Sequence, residues 1–160
     1  MSFLRYLMLL SLVAWLGGLI FFSLVVAPTA FAVLPTRHMA GSVVSRSLST
    51  LHWMGLVSGL IFLVASLLYS RVTTGSAHPL AGRNFLVVMM LVLTCASQFG
   101  ISPRMARLRA SVGEIDNAPL NDPRRVQFDA LHVWSTRLEG GVLLAGLVVV
   151  YLTAQSLASQ

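Results

Sequence analysis

Lysine is absent from this sequence, and its five acidic residues stand against eleven arginines. Charged side chains make up only 10% of the 160 residues, where an ordinary soluble domain carries roughly 25%. Polar groups are too few to cover a water-facing surface, which argues against a soluble fold. The lone cysteine, Cys95, excludes an intrachain disulfide, and a thiol in an apolar run is usually an inert packing group. Catalytic signatures are missing as well. There is no nucleotide-binding glycine loop, no Gly-x-Ser-x-Gly and no zinc-protease motif, and the few acids form no carboxylate pair. The expectation is a protein that is not an enzyme.

What is present is apolar mass, 56% of the chain. It is concentrated in four windows free of Asp, Glu, Lys and Arg: Tyr6 to Thr36, Ser47 to Ser70, Asn84 to Pro103, and Gly140 to Gln160. About 20 apolar residues in a helix cross a hydrocarbon core of about 30 Å, so each window is long enough. The reading is an all-α integral membrane four-helix bundle, a single membrane domain over residues 1–160 with spans near 4–27, 51–70, 84–102 and 133–155. Arg5 before an apolar run and "AFA" at Ala30 to Ala32 imitate a secretory signal. The run far exceeds the roughly 7 to 15 residues of a signal core, so a retained helix is expected.

With four spans, Arg5, Arg71 and Arg83 share one side of the membrane, while Arg37, Arg46, Arg104, Arg107, Arg109, Arg124 and Arg125 share the other. Basic residues set orientation and acidic ones barely count, so the Arg-rich loops are expected in the cytoplasm and both termini outside, in a multi-pass protein of the cell membrane. The expected partners are the bilayer and its anionic headgroups, anchored by Arg104, Arg107, Arg109 and Arg137. The arginines flank apolar spans without a stacking aromatic face, so nucleic acid is not a partner.

The two halves echo each other. Span one ends in "VVAPTAFAVL" and span three in "GISPRMARLR"; span two opens with "LHW" and span four with "LHVW". This pattern fits a parallel two-helix repeat, and it equally fits the chance likeness of apolar helices. Pro28 and Pro103 should kink or end their helices, since each lacks an N–H and obstructs the preceding turn. Beyond Pro103, Met105, Leu108, Val112 and Ile115 form one stripe, with Arg104 and Arg107 off it. Asp122 and Pro123 suit a helix start. A small-xxx-small pair occurs in each span, Ala14/Gly18, Gly55/Gly59, Ala96/Gly100 and Gly141/Ala145, which suits close packing within the bundle or a homo-oligomer.

The fourth span opens with unusual polarity, "DALHVWSTRLEGG". At about 100° per residue, Thr136 lies about 40° from His132 and Glu139 about 20° to the other side, with Asp129 about 60° off. Arg137 can reach back to phosphates, whereas Glu139 should face the bundle or be protonated, because a mid-membrane charge costs about 2.5 to 3.5 kcal/mol. Span two contributes His52, and span three offers Thr94 and Gln98 as an i, i+4 pair. The candidate polar pocket is therefore His52, Gln98, His132, Thr136 and Glu139, opening on the Arg-rich face.

Three readings of these residues stand side by side. Histidines beside Trp53 and Trp134 are commonly interfacial anchors, and an amide or acid within a bundle is commonly interhelical glue. Alternatively His52 and His132 ligate a metal, as haem iron or with a methionine in a copper site, making a membrane redox protein. In the third reading Glu139, His132 and Gln98 relay protons or ions. The leading expectation is binding or transport of a small solute or ion in the pocket, with redox and structural or assembly roles as alternatives.

The strings "WLGGLIFFSLVVAPTAFAVLP", "LHWMGLVSG", "ISPRMARLR" and "FDALHVWSTRLEG" resemble the four-helix membrane family named after transmembrane protein 205. The resemblance implies a multi-pass membrane protein and transfers no catalytic residue. More distantly, the Trp-x-Gly-Gly helix and paired histidines resemble copper-resistance D-type proteins and haem-binding membrane protoporphyrinogen oxidases. That likeness implies haem or copper, although span one here lacks a histidine.

Overall fold

Long charge-free runs favour helix in hydrocarbon, because each backbone N–H and C=O then finds its partner within its own segment. The structure is a computed structural model that describes residues 2–75, 82–112 and 115–158. Met1 and residues 159–160, the extremities of the expected domain and of the last apolar window, lie outside the described residues. The chain forms α1 (Ser2–Phe21), a π-helical segment (Phe22–Val26), α2 (Ala27–Val33) and α3 (Arg37–Thr74). It continues with α4 (Gly82–Cys95), a second π-helical segment (Ala96–Ile101), α5 (Ser102–Val112), a 3-10 turn (Ile115–Asn117) and α6 (Pro123–Ala158).

Four helical runs, Ser2–Val33, Arg37–Thr73, Gly82–Val112 and Pro123–Gln155, are long and apolar enough to cross a membrane. The protein is an all-α, multi-pass membrane four-helix bundle. α1 packs on α3, α3 on α4, α4 on α6, and α6 closes the ring against α1, which leaves α3 and α6 on a diagonal. Leu12, Trp15, Leu16, Leu19, Phe62, Val87, Met90, Val142 and Val149 fill the centre. Leu24, Val57, Val92 and Leu144 face outward with more than half their surface exposed, as lipid-facing residues do.

The helices outlast the apolar windows. α3 begins at Arg37, where the Thr36 hydroxyl accepts from the Met39 N–H at 3.2 Å. α6 begins at Pro123, where Asp122 Oδ1 accepts from the Arg124 N–H at 2.8 Å. Crossing hydrocarbon demands apolar side chains, but extending a helix past the interface demands only a capped, packed backbone. The stripe beyond Pro103 follows the expected face: Met105, Leu108 and Val112 are half-buried and Ile115 is buried, while Arg104 and Arg107 are exposed.

Neither proline ends its helix, a departure from one of the two expected outcomes. Each is preceded by a widened π turn that stops two residues before it, at Val26 ahead of Pro28 and at Ile101 ahead of Pro103. At the exits, the Ala27 N–H bonds to the Phe22 carbonyl and the Ser102 N–H to the Ser97 carbonyl. A wide turn absorbs both the missing donor and the ring's pressure on the preceding turn. The two halves thus share a backbone device as well as a sequence pattern.

Trp15 lies across the small pair Gly55/Gly59: a Cβ at Gly59 would come within 2.7 Å of the indole, and one at Gly55 would strike it as well. The pair Ala96/Gly100 plays no such part, since Ala96 is exposed and a Cβ at Gly100 would meet nothing within 4 Å.

Candidate functional site

Polar side chains inside a bundle must spend their hydrogen bonds on one another, and a chain of them crosses this one. Gln98 donates through Nε2 to Ser49 Oγ at 3.0 Å, which directs its Oε1 toward His52 Nδ1, 2.8 Å away. A carbonyl oxygen only accepts, so Nδ1 carries a proton. His52 Nε2 then meets Glu139 Oε1 at 2.6 Å, and Ser97 Oγ donates to the same carboxyl oxygen at 3.1 Å. The chain therefore reads Ser49, Gln98, His52, Glu139, Ser97. His52 is 2% exposed and the Glu139 side chain 15%.

Three elements build it. α3 supplies Ser49 and His52, three residues apart on one face. The π segment supplies Ser97 and Gln98, neighbours that a regular helix would point about 100° apart. The wide turn narrows that angle, so that Ser97 reaches Glu139 of α6 while Gln98 reaches His52 of α3, two groups that touch each other. α6 supplies Glu139, so the imidazole–carboxyl contact spans the bundle's diagonal. The contact holds a single shared proton in two ways: as imidazolium and carboxylate, or as neutral imidazole accepting from a carboxylic acid. Both arrangements carry the same total charge.

A groove connects this chain with the Arg-rich end. Its cavity of about 710 Å³ lies between the first half of α3 and α5, and Ser49 and Gln98 line it. On the other side of the chain, buried Trp15, Phe62, Met90 and Val142 occupy the centre of the bundle. Beyond that layer lies a second polar group: Arg5 donates to Tyr69 Oη at 2.6 Å and Arg83 to Ser66 Oγ at 3.1 Å.

Of the five residues expected in the pocket, the structure brings together His52, Gln98 and Glu139. His132 and Thr136 are exposed, and the Thr136 hydroxyl turns back to the His132 carbonyl at 3.0 Å. His132 does sit near Glu139 in angle, but it is seven residues and so about 10.5 Å closer to the helix start. At that level the buried stripe of α6 has narrowed to Ser135. Ser49 and Ser97 were not anticipated. Ser49 carried a signal in its i, i+3 relation to His52, whereas Ser97 is intelligible only once the π turn ahead of Pro103 is known.

Among the expected headgroup anchors, Arg104 and Arg107 are exposed at the rim, and the Arg137 guanidinium lies 5.5 Å from the centre of the Trp134 ring. Arg109 is turned toward the protein. It is half-buried, donates to the Gly41 carbonyl at 3.0 Å, and rests 5.3 Å from the centre of the Phe128 ring. α5 folds back over the start of α3, and Gly41, where a Cβ would stand 3.0 Å from the guanidinium, gives it room.

The donor set does not fit the haem or copper suggested by the paired histidines. Both ring nitrogens of His52 are engaged, with Gln98 and with Glu139. His132 is exposed about two turns away, and no group of three His, Cys, Asp or Glu able to hold a metal ion occurs among the described residues.

A family model described as a domain of unknown function (DUF4149) matches residues 10–114, a stretch that includes His52, Ser97 and Gln98 and stops short of Glu139. No curated protein and no solved structure matches the chain.

Proposed function

The chain belongs to the DUF4149 family, and we propose that it binds a small solute or ion in the groove of its bundle and exchanges a proton with it through the His52–Glu139 pair. The observation that carries this reading is the unbroken hydrogen-bonded chain from Ser49, at the groove, to the imidazole and carboxyl inside. Ionisable groups are expensive in a membrane and ordinarily mark a path for protons or ions. An imidazole and a carboxyl sharing one proton form a net-neutral pair, and gaining or losing a proton changes its charge by one, which couples proton exchange to a bound ion of opposite sign.

Transport across the bilayer additionally requires the layer of Trp15, Phe62 and Met90 to part, because these large side chains are each at most 2% exposed and fill the centre of the bundle. The smooth-sided Gly55/Gly59 face under Trp15 provides a surface for that movement. The Arg-rich groove then faces the cytoplasm of a cell-membrane protein with both termini outside, in keeping with the distribution of arginine. The likeness to the transmembrane protein 205 family supports the same multi-pass reading and adds no activity to it.

The test is reconstitution into liposomes loaded with a pH-sensitive dye, followed by an imposed pH gradient. Wild-type protein should dissipate the gradient, and Glu139→Gln should slow it on the order of a hundredfold while circular dichroism stays unchanged. Equal rates in the two proteins would remove the proton-exchange reading.

A further inference from the structure

Among the described residues, the groove between α3 and α5 is lined by hydrogen-bond donors and by no carboxylate. Ser42 and Thr50 spend their hydroxyl protons on their own helix, on the carbonyls of His38 at 2.8 Å and Arg46 at 3.2 Å. Gln98 and Arg109 donate to Ser49 and to the Gly41 carbonyl. The Arg46 guanidinium and the Ser45 and Ser102 hydroxyls make no hydrogen bond to another described residue, although all three line the cavity. Ser49 accepts from Gln98 and so keeps its own O–H to give. Arg109 adds a second guanidinium to the same wall. The opposite character appears in Trp53, Pro103 and Ala106, which give the cavity an apolar side.

A site that offers guanidinium and hydroxyl protons selects a ligand rich in acceptors and negative in charge. A tetrahedral oxyanion presents several oxygens to such donors at once, and charge-assisted bonds from arginine to phosphate are among the stronger polar contacts a protein makes. The cavity of about 710 Å³ exceeds what an oxyanion alone would fill, and its apolar side suits a hydrocarbon extension of the ligand. We propose that this groove binds the phosphate group of an amphiphilic phosphate ester, with Arg46 as the principal charge partner and Ser45, Ser49 and Ser102 as hydroxyl donors. The proposal rests on the reading of the groove as a solute site and names the class of solute. The bound phosphate would accept a hydrogen bond from the Ser49 hydroxyl and so stand at the outer end of the chain leading to His52 and Glu139. A membrane lipid and a soluble organic phosphate share this chemistry.

The experiment uses the full chain in phosphatidylcholine nanodiscs with and without phosphatidic acid, with retained lipid measured by native mass spectrometry and glycerol phosphate added as a soluble competitor. Wild-type protein should retain phosphatidic acid in preference to phosphatidylcholine, and Arg46→Gln should weaken retention about tenfold. The double variant Arg104→Gln/Arg107→Gln removes more charge, from exposed rim positions outside the groove that meet headgroups in general, and should lower retention far less than Arg46→Gln. Displacement by glycerol phosphate identifies a soluble ester as the ligand, and failure to displace identifies the lipid; both support phosphate recognition. Equal loss in the rim variant, or retention indifferent to Arg46, overturns it. Glu139→Gln should bind phosphatidic acid normally. Arg46-dependent binding without dye-reported flux therefore removes the proton-exchange function alone, and flux without such binding removes the phosphate proposal alone.

Discussion

His52 Nε2 and Glu139 Oε1 lie 2.6 Å apart across the diagonal of the bundle, joining α3 to α6, two helices that otherwise do not pack face to face. The pair is thus both a strut and a titratable centre. A strut made of ionisable groups couples the bundle's geometry to its protonation, which ordinary apolar packing does not.

Replacing one partner exposes that coupling. His52→Ala removes a 2% exposed imidazole and leaves Gln98 and Glu139 without their shared partner. Unpaired buried polar groups cost about 1–3 kcal/mol each, so thermal unfolding in detergent should show a clear loss of stability. The double variant His52→Leu/Glu139→Leu should be more stable than His52→Ala, because it leaves neither charge nor imidazole to satisfy.

Pro103 acts on the site from a distance. Pro103→Ala restores an N–H and relieves the pressure that widens the turn, allowing residues 96–101 to rewind as a regular helix. Ser97 and Gln98 then diverge by about 100°, and one of them loses its partner. Proton flux should fall in this variant. Pro28→Ala is the control, because the π segment ahead of it buries no side chain.

The indole of Trp15 tolerates nothing beneath it. Gly59→Leu places a branched side chain where even a Cβ would stand 2.7 Å from the ring. Overpacking of this kind costs about 1–3 kcal/mol, and the expected readout is a lower unfolding temperature with shifted tryptophan fluorescence. Gly100→Leu, where a Cβ meets nothing within 4 Å, should leave both measurements near wild type.

Asp122 caps α6, and its hydrogen bonds from Arg124, first from the side chain and then from the backbone, hold its carboxyl below the ordinary carboxylate range. A depressed folded-state value means that the cap's contribution is fully present above the unfolded value of about 3.9 and is lost as pH falls through the folded one. Protection of the Arg124 amide against hydrogen exchange should therefore persist into more acid solution than an ordinary Asp cap allows. In Asp122→Ala it should be weak at every pH.

The bundle was legible in the sequence because hydrocarbon imposes one rule on every residue of a span, and four windows obeyed it. His52, Gln98 and Glu139 were legible for the same reason: each was a polar group that lipid could not accommodate. The wheel that correctly turned Glu139 inward also turned His132 inward, since angle alone contains no depth. His132 lies where α6 has outrun its neighbours, a matter of helix length that the apolar windows did not encode. Ser97 was hidden by the assumption of regular helix, and the only local trace of the exception was a proline six residues later. Arg109 looked like any other rim arginine, because its partner, the Gly41 carbonyl, belongs to backbone with no side-chain signature.

The most direct test of the central claim is nitrogen NMR of the protein in bilayers with ¹⁵N-labelled histidine, comparing wild type with Glu139→Gln. The account predicts that His52 gives a protonated Nδ1 and a strongly hydrogen-bonded Nε2, with the Nε2 resonance moving markedly in the variant while those of His38 and His132 stay in place. An Nε2 resonance of His52 unaffected by the loss of the carboxyl would contradict it.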